Sequence, residues 1–202
     1  MGQQVEETDT VQVGKKILQG KQTQKVLAFY KPVGVTCTER DPHAEKKIMD
    51  MIRYPERLTY AGRLDKDSEG LILLTNDGDL INAMMRGANR HEKEYIVKTD
   101  KEITPDFLEK MAKGIYLKDL DITTRECEIE QIGKFTFRIV LTQGVNRQIR
   151  RMCEACGYRV KALKRIRIMN ILLGDLKPGK WREVIGEELE QLQRDTGMLN
   201  RN

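Results

Sequence analysis

Apolar positions along the chain change period several times, and each change marks an element. Val26-Leu27-Ala28-Phe29-Tyr30 is a continuous apolar run halted by Lys31-Pro32-Val33-Gly34, which predicts a buried strand ending in a turn. His43 to Ile52 carries Ile48, Met49 and Ile52 at helical spacing and stops at Tyr54-Pro55. Leu71 to Thr75 is a second apolar strand. Asn76-Asp77-Gly78 then turns the chain, and Asp79 is placed to cap a short helix through Met85. Glu94 to Thr99 reads as a strand from its β-branched residues. Thr104-Pro105 opens a helix that Gly114 closes. Phe135 to Leu141 is a strand with aromatic residues on alternate positions. Asn146 is placed to cap a helix from Arg147 to Cys156, closed by Gly157. Arg159 to Leu163 and Ile166 to Ile168 look like two more strands. Leu176 to Arg182 turns into a last strand, and Glu187 to Arg194 is a polar terminal helix. Strands and helices intermingle without strict alternation. The expected class is α+β, with a largely antiparallel mixed sheet flanked by helices.

Residues before Val26 have little to bury. Thr10 to Ile17 alternates like a short strand with a turn at Gly14, an appendage rather than a core. With 202 residues, 39% hydrophobic and 33% charged, the chain has the composition of a globular protein with a real core. No apolar run approaches the roughly 20 residues of a membrane helix, and the first residues carry no secretion signal pattern. The four cysteines (Cys37, Cys127, Cys153, Cys156) do not suggest a disulfide framework. The expectation is a cytoplasmic, monomeric protein with no membrane partner. His43 and His91 are too few and too scattered for a histidine metal site or a Ser-His-Asp triad.

Charge changes the picture. From Arg147 to Arg182 there are eleven Lys/Arg against two acids, a net of +9 on a chain whose total is +5. A basic segment on an otherwise slightly acidic chain points to a polyanion, nucleic acid above all. In the helix from Arg147, residues Ile149, Met152, Cys153 and Cys156 form one apolar stripe, so this Cys-x-x-Cys is core rather than a zinc or redox site. Arg147 and Arg151 then project outward, and Arg150 sits on the stripe's border, where it needs a carboxylate or phosphate. The stretch Gly62-Arg63-Leu64-Asp65-Lys66-Asp67-Ser68-Glu69-Gly70 is a polar loop before a buried strand, a common setting for chemistry. A calcium loop is a poor match, because the twelfth position is Asn76 and no helix precedes it. Asp65 and Asp67 suit glycosidic acid–base work or a magnesium nuclease. Tyr95 could stack on a base. On the residues alone, a nuclease, an enzyme acting on a glycosidic bond of RNA and a non-catalytic RNA-binding protein all remain open.

Four stretches in order carry a resemblance. They are Lys31-Pro32-Val33-Gly34; Gly62-Arg63-Leu64-Asp65 with Ser68 and Gly70; Lys93-Glu94-Tyr95; and Asn146-Arg147-Gln148-Ile149-Arg150-Arg151-Met152. Leu163-Lys164-Arg165-Ile166-Arg167-Ile168 extends them. Together they resemble the pseudouridine synthases, in the RsuA/RluB/RluE/RluF branch that modifies bacterial ribosomal RNA at individual sites. The likeness spans about Val26 to Val184 and is nearest to large-subunit members over Asp65 to Asp79. It implies a pseudouridine synthase fold with a central RNA-binding cleft and a catalytic domain over residues 26–185. Residues 1–25 would be the tail of an N-terminal alpha-L type RNA-binding module, and 186–202 a C-terminal polar helix.

The resemblance implies isomerisation of uridine to pseudouridine in large-subunit (23S) ribosomal RNA by base flipping. The same chemistry on transfer RNA is the alternative, and neither needs a cofactor or metal. It assigns Asp65 as the essential carboxylate, either attacking the ribose anomeric carbon or taking the neighbouring proton. Arg150 would be its compensating cation and Tyr95 the stacking partner that removes the last ring proton. Arg63 is the second candidate cation, or holds the place of the flipped base. Leu163 would be an apolar wall, and Arg147, Arg151, Lys164, Arg165 and Arg167 would meet the RNA.

Overall fold

The computed structural model describes residues 11–13, 16–18, 23–38, 45–86 and 90–199. In chain order the strands and helices are β1 (Val11–Val13), β2 (Lys16–Leu18), β3 (Val26–Lys31), a 3-10 turn (Ile48–Met51), β4 (Thr59–Ala61), β5 (Glu69–Thr75), α1 (Gly78–Met85) and β6 (Lys93–Thr99). There follow α2 (Pro105–Ala112), β7 (Tyr116–Leu117), β8 (Ile122–Thr123), β9 (Glu128–Gly133), β10 (Thr136–Leu141), α3 (Gln148–Ala155), β11 (Val160–Ile168), β12 (Ile171–Leu172), β13 (Trp181–Glu183) and α4 (Gly186–Asp195). Nine strands form one sheet in the order β13-β3-β5-β11-β6-β10-β9, with β4 beside β5 and β12 beside β11. Every pairing among these is antiparallel except β5 with β11. The α+β expectation holds. Among the described residues no helix is long and apolar enough to cross a membrane.

Both faces of β5 are covered, which is why its sequence is continuously apolar rather than alternating. Leu71 and Leu73 pack with Val26, Ala28, Leu80, Met84 and Leu192 on one face. Ile72 and Leu74 pack with Leu27, Phe29, Val35, Ile48 and Leu58 on the other. A third cluster joins α2 and α3 to β6, β10 and β11 through Phe107, Met111, Phe137, Ile149, Met152, Cys153 and Leu163. Cys153 lies within it and Cys156 packs against it, so the Cys-x-x-Cys pair belongs to the core, and all four cysteines are free thiols.

Several expected boundaries move, each for a physical reason. The helix expected over His43 to Ile52 is reduced to the 3-10 turn Ile48–Met51, and residues 39–44 lie outside the described residues. Asp77, not Asp79, caps α1. Its carboxylate accepts the Asp79 and Leu80 amides, so Asp79 already sits inside the first turn. Asn146 does not cap α3; Arg147 holds that position in a left-handed conformation (φ 52°) without a side-chain cap. The two strands expected around Lys164-Arg165 are one, β11, because Lys164 lies over the Tyr30 ring and Arg165 is buried. Strand β9 escapes a pattern search because it is an edge strand, exposed on most positions and carrying Glu128 and Glu130.

Where β3 ends, Lys31 is fully buried. Its ammonium donates to the carbonyls of Pro32 (2.9 Å) and Val35 (2.8 Å), and so closes the turn at Gly34. Burial pulls this ammonium from the ordinary 10.5 down to about 8, against the opposing pull of Cys37, Asp65 and Asp67. Between those two values the unfolded chain binds the extra proton, so this residue adds stability as pH rises across that window. Urea unfolding of the wild type and Lys31→Met from pH 7.5 to 10.5 should show the wild type gaining on the variant, by up to about 1.4 kcal/mol per pH unit. A difference that stays constant with pH would mean that Lys31 titrates normally.

Candidate functional site

Strand β5 has two neighbours on one side. At Glu69 and Gly70 it pairs with β11, and from Leu73 onward with β4. The sheet therefore forks beside Leu71, and the loop from Gly62 to Ser68 rises from that fork. The close approach needs a glycine. At Gly70 (φ +112°) an added Cβ would stand 2.2 Å from the Arg165 carbonyl oxygen.

The loop is held from every side. Gly34 N–H donates to the Lys66 carbonyl (2.7 Å), which ties it to the Lys31–Gly34 turn. The loop also closes on itself through Ser68 N–H to the Asp65 carbonyl (3.1 Å). Arg165, 2% exposed, donates from Nε to the Leu71 carbonyl (2.7 Å) and from Nη1 to the Arg63 carbonyl (3.4 Å). From α3, Arg150 donates to the Asp67 carbonyl (3.0 Å) and the Ser68 hydroxyl (3.1 Å) and pairs with the Asp67 carboxylate (3.3 Å). Arg147 forks onto the same carboxylate at 3.3 and 3.2 Å. Burial alone would raise the Asp67 carboxyl, but the Arg147 hydrogen bond and the Arg150 and Arg147 charges hold it below its usual value.

With the loop fixed, Asp65 stands in a cleft of about 560 Å³ together with Arg63, Tyr95, Arg147, Leu163 and Arg165. Arg147 Nη1 is 3.6 Å from its carboxylate. Six lining side chains are Arg or Lys (Arg63, Lys66, Arg86, Lys93, Arg147, Arg165), and Asp65 is the one carboxylate among the described lining residues. Tyr95 on β6 and Leu163 on β11 face this space from neighbouring strands.

Four of the expected positions lie elsewhere. Arg150 does not line the cleft; it braces the loop from behind, and Arg147 is the arginine that reaches Asp65. Arg147 projects away from the core as expected, toward the acids of the loop. Arg151 is tied to the Asn146 carbonyl (2.9 Å) and to Asp119. Lys164 sits on the opposite face of β11, over Tyr30. Arg167 is locked by Glu94 (2.6 Å) and Glu92 (3.0 Å). A stretch rich in arginine reads as one basic surface, but strand alternation and ion pairing divide it. Asp67, a candidate with Asp65 for acid–base or magnesium chemistry on the residues alone, is held by Arg147 and Arg150. Lys93 was overlooked, although its two-residue spacing from Tyr95 places both on one face of β6.

The model of the RNA pseudouridylate synthase family matches residues 25–155. The chain belongs to that family. It is 43% identical over 194 residues to the dual-specificity RNA pseudouridine synthase RluF of Escherichia coli strain K12, covering 95% of this chain and 66% of that protein. It is 34% identical over 178 residues to the ribosomal large subunit pseudouridine synthase B of Vibrio cholerae, covering 84% and 54%. The chain thus spans just under two thirds of the first relative and about half of the second. A crystal structure of a pseudouridylate synthase superposes with a TM-score of 0.79 at 26% identity, over 94% of this chain and 82% of that one. The nine-stranded sheet is the sheet of this fold.

The two arginines of α3 are separable by stability. Arg150 is 14% exposed and makes several bonds that a lysine cannot reproduce, whereas Arg147 is 42% exposed. Arg150→Lys should cost about 1–3 kcal/mol in urea unfolding, and Arg147→Lys less than about 1 kcal/mol. Equal costs would contradict the bracing role given to Arg150.

Proposed function

We propose that the protein isomerises uridine to pseudouridine in RNA, with large-subunit ribosomal RNA as its substrate. The observation that carries this reading is the cleft itself, a single carboxylate set among six cations. Such a surface attracts the phosphate backbone while reserving one anionic group for chemistry. A uridine lifted from its stack would enter with its base against Tyr95 and Leu163, and with its ribose toward Asp65.

The reaction breaks the ribose C1′–N1 bond, turns the uracil and joins C1′ to C5. The proton on C5 leaves, and N1 gains one. Asp65 begins it, either by attacking C1′ or by removing the C2′ proton; both require an ionised carboxylate out of bulk water. Arg147 supplies the adjacent positive charge. Arg150, behind the loop, positions Asp65 and does not touch substrate. Tyr95 stacks on the uracil and is the candidate to accept the C5 proton. Arg63, whose side chain is exposed at the cleft mouth, is free to take the place that the flipped base leaves.

Residues 26–185 form the catalytic unit in this reading. Residues 1–25 are taken as the tail of an RNA-binding module; within them, β1 and β2 pair as an antiparallel hairpin. The names of the relatives support the ribosomal substrate, and the protein acts as a cytoplasmic monomer.

The test uses ribosomal RNA carrying tritium on uracil C5. The wild type should release label without shortening the RNA and should be indifferent to a chelator. Asp65→Asn should lose at least about 1000-fold in rate, a barrier increase of about 4 kcal/mol, with RNA affinity retained. Label release by Asp65→Asn at the wild-type rate would remove Asp65 from the chemistry. Magnesium-dependent shortening of the RNA would replace the synthase by a nuclease.

A further inference from the structure

Strands β6, β10 and β11 carry cations on both faces, and the two faces treat them differently. On the face away from the cleft, Arg138 pairs with Glu94 (3.2 Å), Glu130 (3.2 Å) and Glu128, and Arg167 with Glu94 and Glu92. On the cleft face, Lys93 and Arg165 have no acid within ion-pair distance among the described residues. The one hydrogen bond of the Lys93 ammonium there is a long 3.5 Å contact with the His91 carbonyl. Arg165 is nearly fully buried and keeps its Nη2 without any partner. Burial, reinforced by the Arg165 charge, lowers the Lys93 ammonium below its ordinary value.

Two like charges brought together and half desolvated, with no counter-ion, destabilise a fold unless an anion joins them in use. A chain that neutralises the arginines on one face of these strands leaves this lysine open on the other. Its neighbour on the same face is Tyr95, two residues away and therefore about 6.6 Å along the strand. That is comparable to the separation of a base from its own phosphate within one nucleotide.

We propose that Lys93 is the phosphate-binding half of a clamp for a single nucleotide, in which Tyr95 holds the base and Lys93 a phosphate flanking the target uridine. Arg165 lies behind it and adds positive charge without direct contact. The assignment rests on the cleft being the RNA site and deepens that reading, because it says how one nucleotide is held at both ends.

The test measures affinity for a target-bearing ribosomal RNA fragment across a salt series, with Lys93→Met and Lys93→Arg beside the wild type. Lys93→Met keeps the aliphatic stem and removes one of two opposed charges, so its melting temperature should be equal or higher. Its affinity should fall about tenfold, and the slope of log affinity against log salt should flatten by about 0.7. Lys93→Arg should recover both. Replacing the phosphate beside the target uridine by a neutral methylphosphonate should weaken the wild type equally and cost Lys93→Met nothing more. Wild-type affinity and slope in Lys93→Met would overturn the proposal, as would additive losses from the variant and the methylphosphonate. A wild type that neither binds this RNA nor releases label would instead overturn the reading of the cleft, and the clamp with it.

Discussion

The structure depends on holding a loop rich in acids at a point where a β-sheet divides. Leu71 lies between the stretch of β5 that pairs with β11 and the stretch that pairs with β4, and Arg63 lies in the loop beside it. Arg165 supplies a donor to the carbonyl of each. A buried carbonyl left without a donor costs about 1–3 kcal/mol, so this one guanidinium stabilises both roots of the loop. Arg150 and the Gly34 amide then immobilise its tip. Asp65 is thereby presented by a rigid frame, which is what the role proposed for it requires.

Charge is distributed by face rather than by sequence. The arginines on the far side of β6, β10 and β11 are consumed by glutamates and hold the sheet together. Those toward the cleft bind loop carbonyls or the loop's own acids, or have no acid partner among the described residues. The result is a concave surface with a strong positive field around one negative group. Such a field draws in a polyanion and concentrates it around the central carboxylate.

Much of this was legible in the sequence where local rules govern. Buried strands announced themselves as apolar runs, Thr104-Pro105 opened α2 through its hydroxyl bond to Phe107 N–H, and the stripe on α3 placed Cys153 in the core. Four short motifs sufficed to find the family and to bring Asp65, Tyr95 and Leu163 to one cleft. What could not be read was decided at long range. Whether Arg147 or Arg150 reaches Asp65 depends on how α3 sits against a loop some 80 residues earlier. Whether Arg165 meets RNA or backbone depends on a fork in the sheet that no single segment encodes. The contacts of Lys164 with Tyr30 and of Arg167 with Glu92 and Glu94 were not legible either, because they join residues distant in sequence.

The one parallel strand pairing of the nine-stranded sheet, β5 with β11, has a consequence for synthesis of the protein. Parallel neighbours must be joined by a crossover, and here it contains most of the second half of the fold. The loop bearing Asp65 leaves the ribosome nearly one hundred residues before Arg165 does. Until β11 arrives, the fork is open and the Leu71 carbonyl lacks its Arg165 donor. A growing chain therefore carries Asp65 long before it carries the frame that holds it. The site should form late and all at once during translation, and a chain ending short of β11 should hold the loop sequence without its brace.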